Sequence, residues 1–281
     1  MIAEFIYCYI LRPWPLRQIT NWIIIKVLPK KIRVGSLFLF LNPNDPVVSG
    51  ALFFNVYEKS ESKFIKSICF KGMKALDIGA NIGYYSTLIS QVAGENGLIL
   101  ALEPDPESYK YLDKTINSFK IKNVLHFPIA ASDIKQKLPL FISKDNRGDN
   151  RLYQNEQLRE QIEVDCLTID ELLEGNNLKT LDFIKIDVQG YEPKVFKGMK
   201  KVIKNSEKLI LLTEFWPKGI FQSGENPKDF LRMLRKMEFQ LFELKSNGSL
   251  ILLKKENENR FIEKYKGRKY TNLVGKKFKI K

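Results

Sequence analysis

The chain has 281 residues, 44% hydrophobic and 28% charged, with Lys and Arg outnumbering Asp and Glu to a net charge of +14. Such a chain buries a full core, and the balance excludes a disordered or membrane-spanning class. Three cysteines without CxxC spacing (Cys8, Cys69, Cys166) and a single histidine (His126) exclude a disulfide scaffold, a zinc cluster and a histidine-rich metal site; no metal is expected, and a reducing cytoplasm is the expected location.

The charge is uneven. Residues 1–75 hold 11 Lys/Arg against 4 Asp/Glu, residues 76–215 hold 18 against 21, and residues 216–281 hold 17 against 7. Basic ends on a mildly acidic body suit an anionic partner or simply a solvated lysine-rich surface. The apolar run Phe5–Leu11 is far shorter than the roughly 20 residues of a membrane span and ends in Arg12-Pro13-Trp14-Pro15. No basic stretch precedes it and no small-residue cleavage site follows, so no signal peptide is expected. Next comes a helical pattern with Leu16, Ile19, Ile23 and Val27 on one face. With Trp14 and Trp22 it reads either as a cap on the core or as a peripheral membrane contact.

Residues 1–31 are thus expected as a helical segment and 32–72 as a lead-in with a strand at Leu37–Leu41, a turn at Asn42–Pro46 and a helix at Glu61–Phe70. From residue 73 strand and helix alternate: strands at Lys74–Ile78, Leu98–Leu102, Val124–Ala130, Leu181–Asp187 and Leu209–Glu214. Helices fall at Tyr84–Val92, Pro106–Phe119, Val195–Ile203 and Asp229–Met237. Lys144–Glu160 reads as too irregular for the core. Phe239–Leu244 and Leu250–Leu253 flank Ser246-Asn247-Gly248, a hairpin signal. The domain is expected to end near residue 255, leaving a basic tail over 256–281. Alternation predicts an α/β fold with a mostly parallel sheet, because each parallel crossover takes a helix.

The densest chemical signal is the strand-turn-helix Asp77-Ile78-Gly79-Ala80-Asn81-Ile82-Gly83. Glycines let the chain turn sharply and let a ligand approach the backbone. Asn81 fills the middle glycine position of a dinucleotide fingerprint and tolerates the left-handed region. Glu103, 20 positions beyond Gly83, ends the next strand where a carboxylate can accept both hydroxyls of a ribose. Asp187 and Glu214 end two further strands, and Glu192 follows within a turn. Carboxylates at this edge can orient a hydroxyl or remove its proton.

Four ordered motifs resemble the FkbM-type methyltransferases: the glycine turn with Tyr84-Tyr85-Ser86, Glu103-Pro104-Asp105-Pro106, Ala130-Ala131-Ser132-Asp133, and Lys185-Ile186-Asp187-Val188-Gln189-Gly190-Tyr191-Glu192. Tyr57-Glu58 before them and Tyr270-Thr271-Asn272-Leu273 after them extend the likeness over about residues 33–275. The resemblance implies a class I methyltransferase (Rossmann-like) fold with a seven-stranded, mostly parallel sheet and a C-terminal antiparallel hairpin, and S-adenosyl-L-methionine as cofactor. It implies Gly79, Ala80, Asn81 and Gly83 along the cofactor, with Asp77 on the turn or the cofactor ammonium. Glu103 falls on the ribose and Asp133 on the adenine. It further implies O-methylation of a sugar, glycan or small-metabolite hydroxyl, with Asp187 and Glu192 beside it and Glu58 and Glu214 as further candidates. Gln189 departs from the family, which usually has Glu there. An amide is neither a base nor a hard metal ligand.

The loop Arg147-Gly148-Asp149-Asn150-Arg151 falls on the substrate side in this reading, and His126 reads as a core residue. A nucleic-acid methyltransferase would explain the basic ends, but the Asn/Asp-Pro-Pro-aromatic motif is absent and nucleic acid is not the expected partner. A nicotinamide oxidoreductase shares the turn but would want GxGxxG. A nucleotide-binding module without turnover is the remaining alternative.

Overall fold

A computed structural model of the chain describes residues 16–144, 146–154 and 159–278, with side chains from residue 20 onward. The run Phe5–Leu11 and the last three residues of the basic tail lie outside these. Helix α1 (Leu16–Val27) is followed by a two-stranded ribbon, β1 (Lys31–Val34) and β2 (Leu37–Phe40), then by α2 (Pro46–Phe53) and α3 (Lys59–Ile68). Asp45 accepts from Val48 N and so caps α2, whose first residue, Pro46, has no N–H to satisfy.

The core sheet begins with β3 (Lys74–Ile78), followed by α4 (Tyr84–Ala93), β4 (Leu98–Leu102), α5 (Pro106–Ser118) and β5 (Val124–Phe127). After an excursion it resumes with β9 (Phe183–Ile186) and β10 (Lys208–Phe215), which add on the other side of β3. All four pairings within β5-β4-β3-β9-β10 are parallel. Nearly every residue of β3, β4 and β9 is buried, as expected of strands covered on both faces. Period-two alternation divides them. Leu76, Ile78, Leu100 and Leu102 pack on one face with Val195, Phe196, Phe230 and Leu234. Ala75, Ile99 and Ala101 pack on the other with Phe64, Tyr85, Leu88 and Leu112.

The excursion is a small sheet that the sequence pattern leaves unassigned: β6 (Ala130–Ala131), β7 (Gln136–Ile142) and β8 (Glu160–Leu167), in the order β6-β8-β7. The strand expected to run on to Ala130 therefore stops at Phe127, and Ala130 changes sheets. A capping box between Thr168 and Glu171 starts α6 (Ile169–Gly175). The helix expected over Val195–Ile203 is two, α7 (Glu192–Lys197) and α8 (Lys200–Asn205), broken at Gly198. A β-carbon on Gly198 would sit 2.1 Å from Ser132 O, so the break lets this corner seat the chain after β6.

After α9 (Pro217–Gln222) and α10 (Pro227–Lys236), β11 (Gln240–Leu244) and β12 (Leu250–Leu252) form the expected hairpin. The expected basic tail does not hold over its described part. Glu258–Lys264 is helix α11, and Thr271–Phe278 is β13, which pairs antiparallel with both β10 and β11. Among the described residues the main sheet thus has eight strands in the order β12-β11-β13-β10-β9-β3-β4-β5. The inserted antiparallel strand is β13, and the hairpin is an edge addition. The lysines of Lys276 and Lys277 masked this strand, although Leu273 and Val274 are fully buried. Lys277 reaches from the core to Ile203 O at 2.6 Å and to Glu238 at 3.3 Å.

Candidate active site

The chain winds outward from β3 to β5 and then returns to β9, so the reversal lies between β3 and β9. Ligands of open α/β sheets bind at the carboxyl ends of strands beside such a reversal. A cavity of about 540 Å³ opens there, within the size range of small-molecule sites.

One lobe is walled by the turn after β3 and the end of β4. Gly79 and Asn81 line it, both with positive φ (77° and 50°). Gly79 N and Ala80 N donate to Leu102 O, which ties the turn to β4. Glu103 lines the same lobe, its Oε2 accepting from Asn81 N and its Oε1 from Asp105 N, each at 2.8 Å. Burial, then the neighbouring Asp105 charge, push this carboxyl up to about 8 despite the two donors. Ile129, Ala130, Ala131 and Leu140 add an apolar wall. Asp77 is fully buried behind the turn, with Oδ2 accepting from Ser86 Oγ at 2.6 Å and Oδ1 without a hydrogen-bond partner among the described residues. A carboxylate at the end of β4, a close glycine turn and an apolar wall on one cavity together fit an adenosine-type cofactor.

Of the seven expected cofactor residues, Gly79, Asn81 and Glu103 line the cavity, whereas Asp77, Ala80, Gly83 and Asp133 do not. Ala80 is buried under the turn and Gly83 caps α4, where a β-carbon would meet Leu112 Cδ1 at 2.6 Å; both shape the turn without lining the cavity. Asp133 also lies off the cavity, 3.6 Å from Lys194, because Ser132 turns the chain against Gly198. The adenine assignment of Asp133 is therefore not supported by its position.

The second lobe gathers carboxylates. Asp187 follows β9, Glu214 is the penultimate residue of β10, and Glu58 precedes α3; all three line the cavity. Gln189, at φ 56°, directs Nε2 to Asp187 Oδ1 at 2.9 Å and to Glu214 Oε2 at 3.3 Å. Tyr85 donates to Glu58 Oε2 at 2.5 Å. Behind them the Lys185 ammonium lies 3.5 Å from Asp187 and 4.7 Å over the Tyr85 ring. Burial alone would depress Lys185, but Asp187, Asp77 and Glu58 hold its pKa above the ordinary value. A lone lysine within the apolar strand Phe183–Ile186 was the available signal, and sequence reasoning passed over it.

Burial, reinforced by the charges of Asp187 and Glu61 and opposed by Lys185, pushes Glu58 up to about 7. Glu214 is raised well above the ordinary carboxylate value, first by burial and then by Asp187, Glu192 and Glu58. Glu192 was expected beside the hydroxyl but is fully buried off the cavity, its Oε1 accepting from Val188 N and Gly190 N at 3.2 Å. It fastens the turn that carries Gln189.

All five residues of the loop Arg147–Arg151 line the cavity. One nitrogen of Arg147, Nη1, donates to both Asp105 oxygens at 2.9 Å and anchors the loop to the start of α5. Arg151 is held by Asp149 and stacks 4.7 Å from the Trp216 ring, which also lines the cavity. Trp216, the α2 residues Val47, Val48 and Ala51, and Arg268 carry no motif and were missed. Asn272, on β13, donates to Glu61 Oε1 at 2.5 Å. His126 lies outside the cavity, its Nδ1 2.9 Å from Tyr109 Oη.

A mostly parallel sheet with one inserted antiparallel strand, a glycine turn after β3 and a ribose-type carboxylate after β4 define a class I methyltransferase architecture. The FkbM methyltransferase domain model matches residues 77–244. The chain belongs to that family, and S-adenosylmethionine is the methyl donor that goes with it. A hexuronic acid methyltransferase, AglP of Haloferax volcanii, is 22% identical over 190 residues, 65% of this chain and 70% of the relative. Among solved structures, the FkbM methyltransferase of Methylobacillus flagellatus is 13% identical over 93% of this chain and 60% of that one, with a TM-score of 0.45. A SAM-dependent methyltransferase of Aquifex aeolicus is 17% identical over 78% and 89%, with a TM-score of 0.42.

Proposed function

We propose that the protein transfers a methyl group from S-adenosylmethionine to a hydroxyl of a sugar, glycan or related small metabolite. The observation that carries the reading is the juxtaposition, in one cavity, of the Gly79–Glu103 lobe with the Glu58–Asp187–Glu214 cluster. When bound, the cofactor supplies an already activated methyl group, so the protein's task is alignment and proton removal. Glu103 and the turn backbone would hold the ribose, with Asp77 behind the turn.

A hydroxyl is a weak nucleophile at neutral pH and gains from a base whose pKa lies near the working pH. Glu58, at about 7, is that group. Asp187, fixed by Gln189 and Lys185, accepts a hydrogen bond from the hydroxyl and orients it. Glu214, its carboxyl pushed well above the ordinary value by burial, adds a further hydrogen-bonding oxygen beside the acceptor. Arg151 and Trp216 supply a stacking wall against which a sugar ring can lie. The hexuronic acid methyltransferase among the relatives agrees with a sugar acceptor.

Incubation of the enzyme and its Asp187→Asn variant with methyl-labelled donor and glycan, lipid and RNA pools tests this. Label in the glycan or small-metabolite fraction, lost in the variant, is the expected outcome. Label in RNA alone would refute the acceptor class. In parallel, Glu103→Ala is expected to weaken S-adenosylhomocysteine binding in calorimetry by at least about tenfold; unchanged affinity would remove Glu103 from the ribose site.

A further inference from the structure

Helix α1 is apolar on its packed side and on its open side. Ile24 is buried between α1 and α2, where a β-carbon on Gly50 would meet its side chain at 3.2 Å, and Thr20 is buried one turn earlier. At the helical period the opposite face carries Trp22 and Lys26, flanked by Ile23 and Ile25, and Val27 ends the helix. These apolar residues are 58%, 48%, 45% and 55% exposed. A surface helix of a soluble protein normally presents polar residues there. No element among the described residues covers this face.

The charge around it has one sign. From Phe5 to Asn44 there is no acidic residue, while Arg12, Arg17, Lys26, Lys30, Lys31 and Arg33 are all basic. Lys26, Lys30, Lys31 and Arg33 are exposed, and none forms a salt bridge among the described residues. The Lys26 ammonium itself lies 3.7 Å over the Trp22 ring, so cation and aromatic share this face.

We infer that α1 and the β1–β2 ribbon dock on an anionic lipid bilayer. Trp22, Ile23 and Ile25 enter the headgroup boundary while Lys26, Lys30, Lys31 and Arg33 meet the lipid phosphates. A second copy of the chain is the poorer occupant, since joining two such faces would bring like charges together. The arrangement bears on the cavity as well. Gly50 and Ala51 of α2 receive α1, while Val47, Val48 and Ala51 line the cavity, so a bilayer under α1 lies one helix away from the cavity wall.

Co-sedimentation of the full chain with phosphatidylcholine vesicles, and with vesicles containing about one-third phosphatidylglycerol, tests the docking. Binding is expected only with the anionic vesicles and should weaken with added salt. Lys26→Glu/Lys30→Glu should lower the partition coefficient by at least roughly fivefold per cation. Trp22→Ser/Ile25→Ser should lower it at unchanged charge, with S-adenosylhomocysteine affinity retained in both variants as the sign that they fold. Absence of binding to anionic vesicles would overturn the inference. So would equal binding by the charge variant, or a concentration-dependent dimer abolished by Trp22→Ser/Ile25→Ser without vesicle binding.

Discussion

A β-carbon placed on Gly79 would lie 2.0 Å from the carbonyl oxygen of Asp187. The turn of the cofactor lobe and the strand end of the carboxylate lobe therefore touch backbone to backbone, and the missing side chain sets their spacing. Gly79 also has φ +77°, which costs an L-residue about 1–2 kcal/mol even with room to spare. Gly79→Ala is expected to destabilise the protein by about 2 kcal/mol or more and to weaken S-adenosylhomocysteine binding, as read by urea midpoint and calorimetry. A variant with native midpoint and affinity would show that the two lobes do not share this contact.

Gln189 puts one amide nitrogen between two carboxylates. In Gln189→Glu, donors at 2.9 and 3.3 Å become a third acceptor, leaving Asp187 and Glu214 short of partners. The variant should lose about 2 kcal/mol of stability at neutral pH and recover part of it on acidification, because protonation restores a donor. It should also gain more melting temperature from Mn²⁺ than the parent does, three clustered carboxylates being a hard-cation site. Identical melting curves for the two proteins would mean the amide bridge carries no weight.

The pH dependence of methyl transfer should show an ascending limb near 7, from ionisation of Glu58. Glu58→Gln should abolish that limb and lower kcat by about 10²–10⁴-fold. A Glu58→Gln profile that keeps the same limb would assign the base elsewhere, with Glu214 next to be tested.

The protein without its cofactor should be less stable at slightly alkaline than at mildly acidic pH. Burial raises Glu103 from 4.5 to about 8, so between those values the folded state holds a proton that the unfolded chain has lost. Stability from this group is therefore complete below 4.5 and is lost as pH rises toward and through 8. Glu58 and Glu192, each raised to about 7, act in the same direction over a narrower window. Glu103→Gln should flatten part of the fall in melting temperature over this range. A slope unchanged in that variant would contradict the assignment.

Lys185 is the counter-ion of the cluster. Lys185→Met should cost about 3–5 kcal/mol, the price of leaving buried carboxylates without their cation, while the shape of the core is nearly kept. Thermal or chemical denaturation reads this directly, and a loss below about 1 kcal/mol would mean that Asp187 and Asp77 are neutralised in another way.

The sequence by itself determined what depends on neighbours along the chain. Near-continuous apolar strands, Pro106 behind a capping Asp105, and a glycine turn opening a helix are local rules, so the parallel core, the turn and the positions of Glu103, Asp187 and Glu214 at strand ends were legible. Contacts across the sheet decided the rest. Thr271–Phe278 reads as a basic tail because its lysines break the apolar pattern, yet pairing on both sides buries Leu273 and Val274 and makes it a central strand. Glu192 and Asp133 carry acids at the expected places in the motifs. Packing of Gly198, just after α7, against Ser132 and of the Val188–Gly190 turn against Glu192 keeps both off the cavity. Gln189 looked in the sequence like a lost carboxylate. Only the approach of β10 to β9 gives its amide two acceptors, because a hydrogen bond over 25 residues of separation has no local signature.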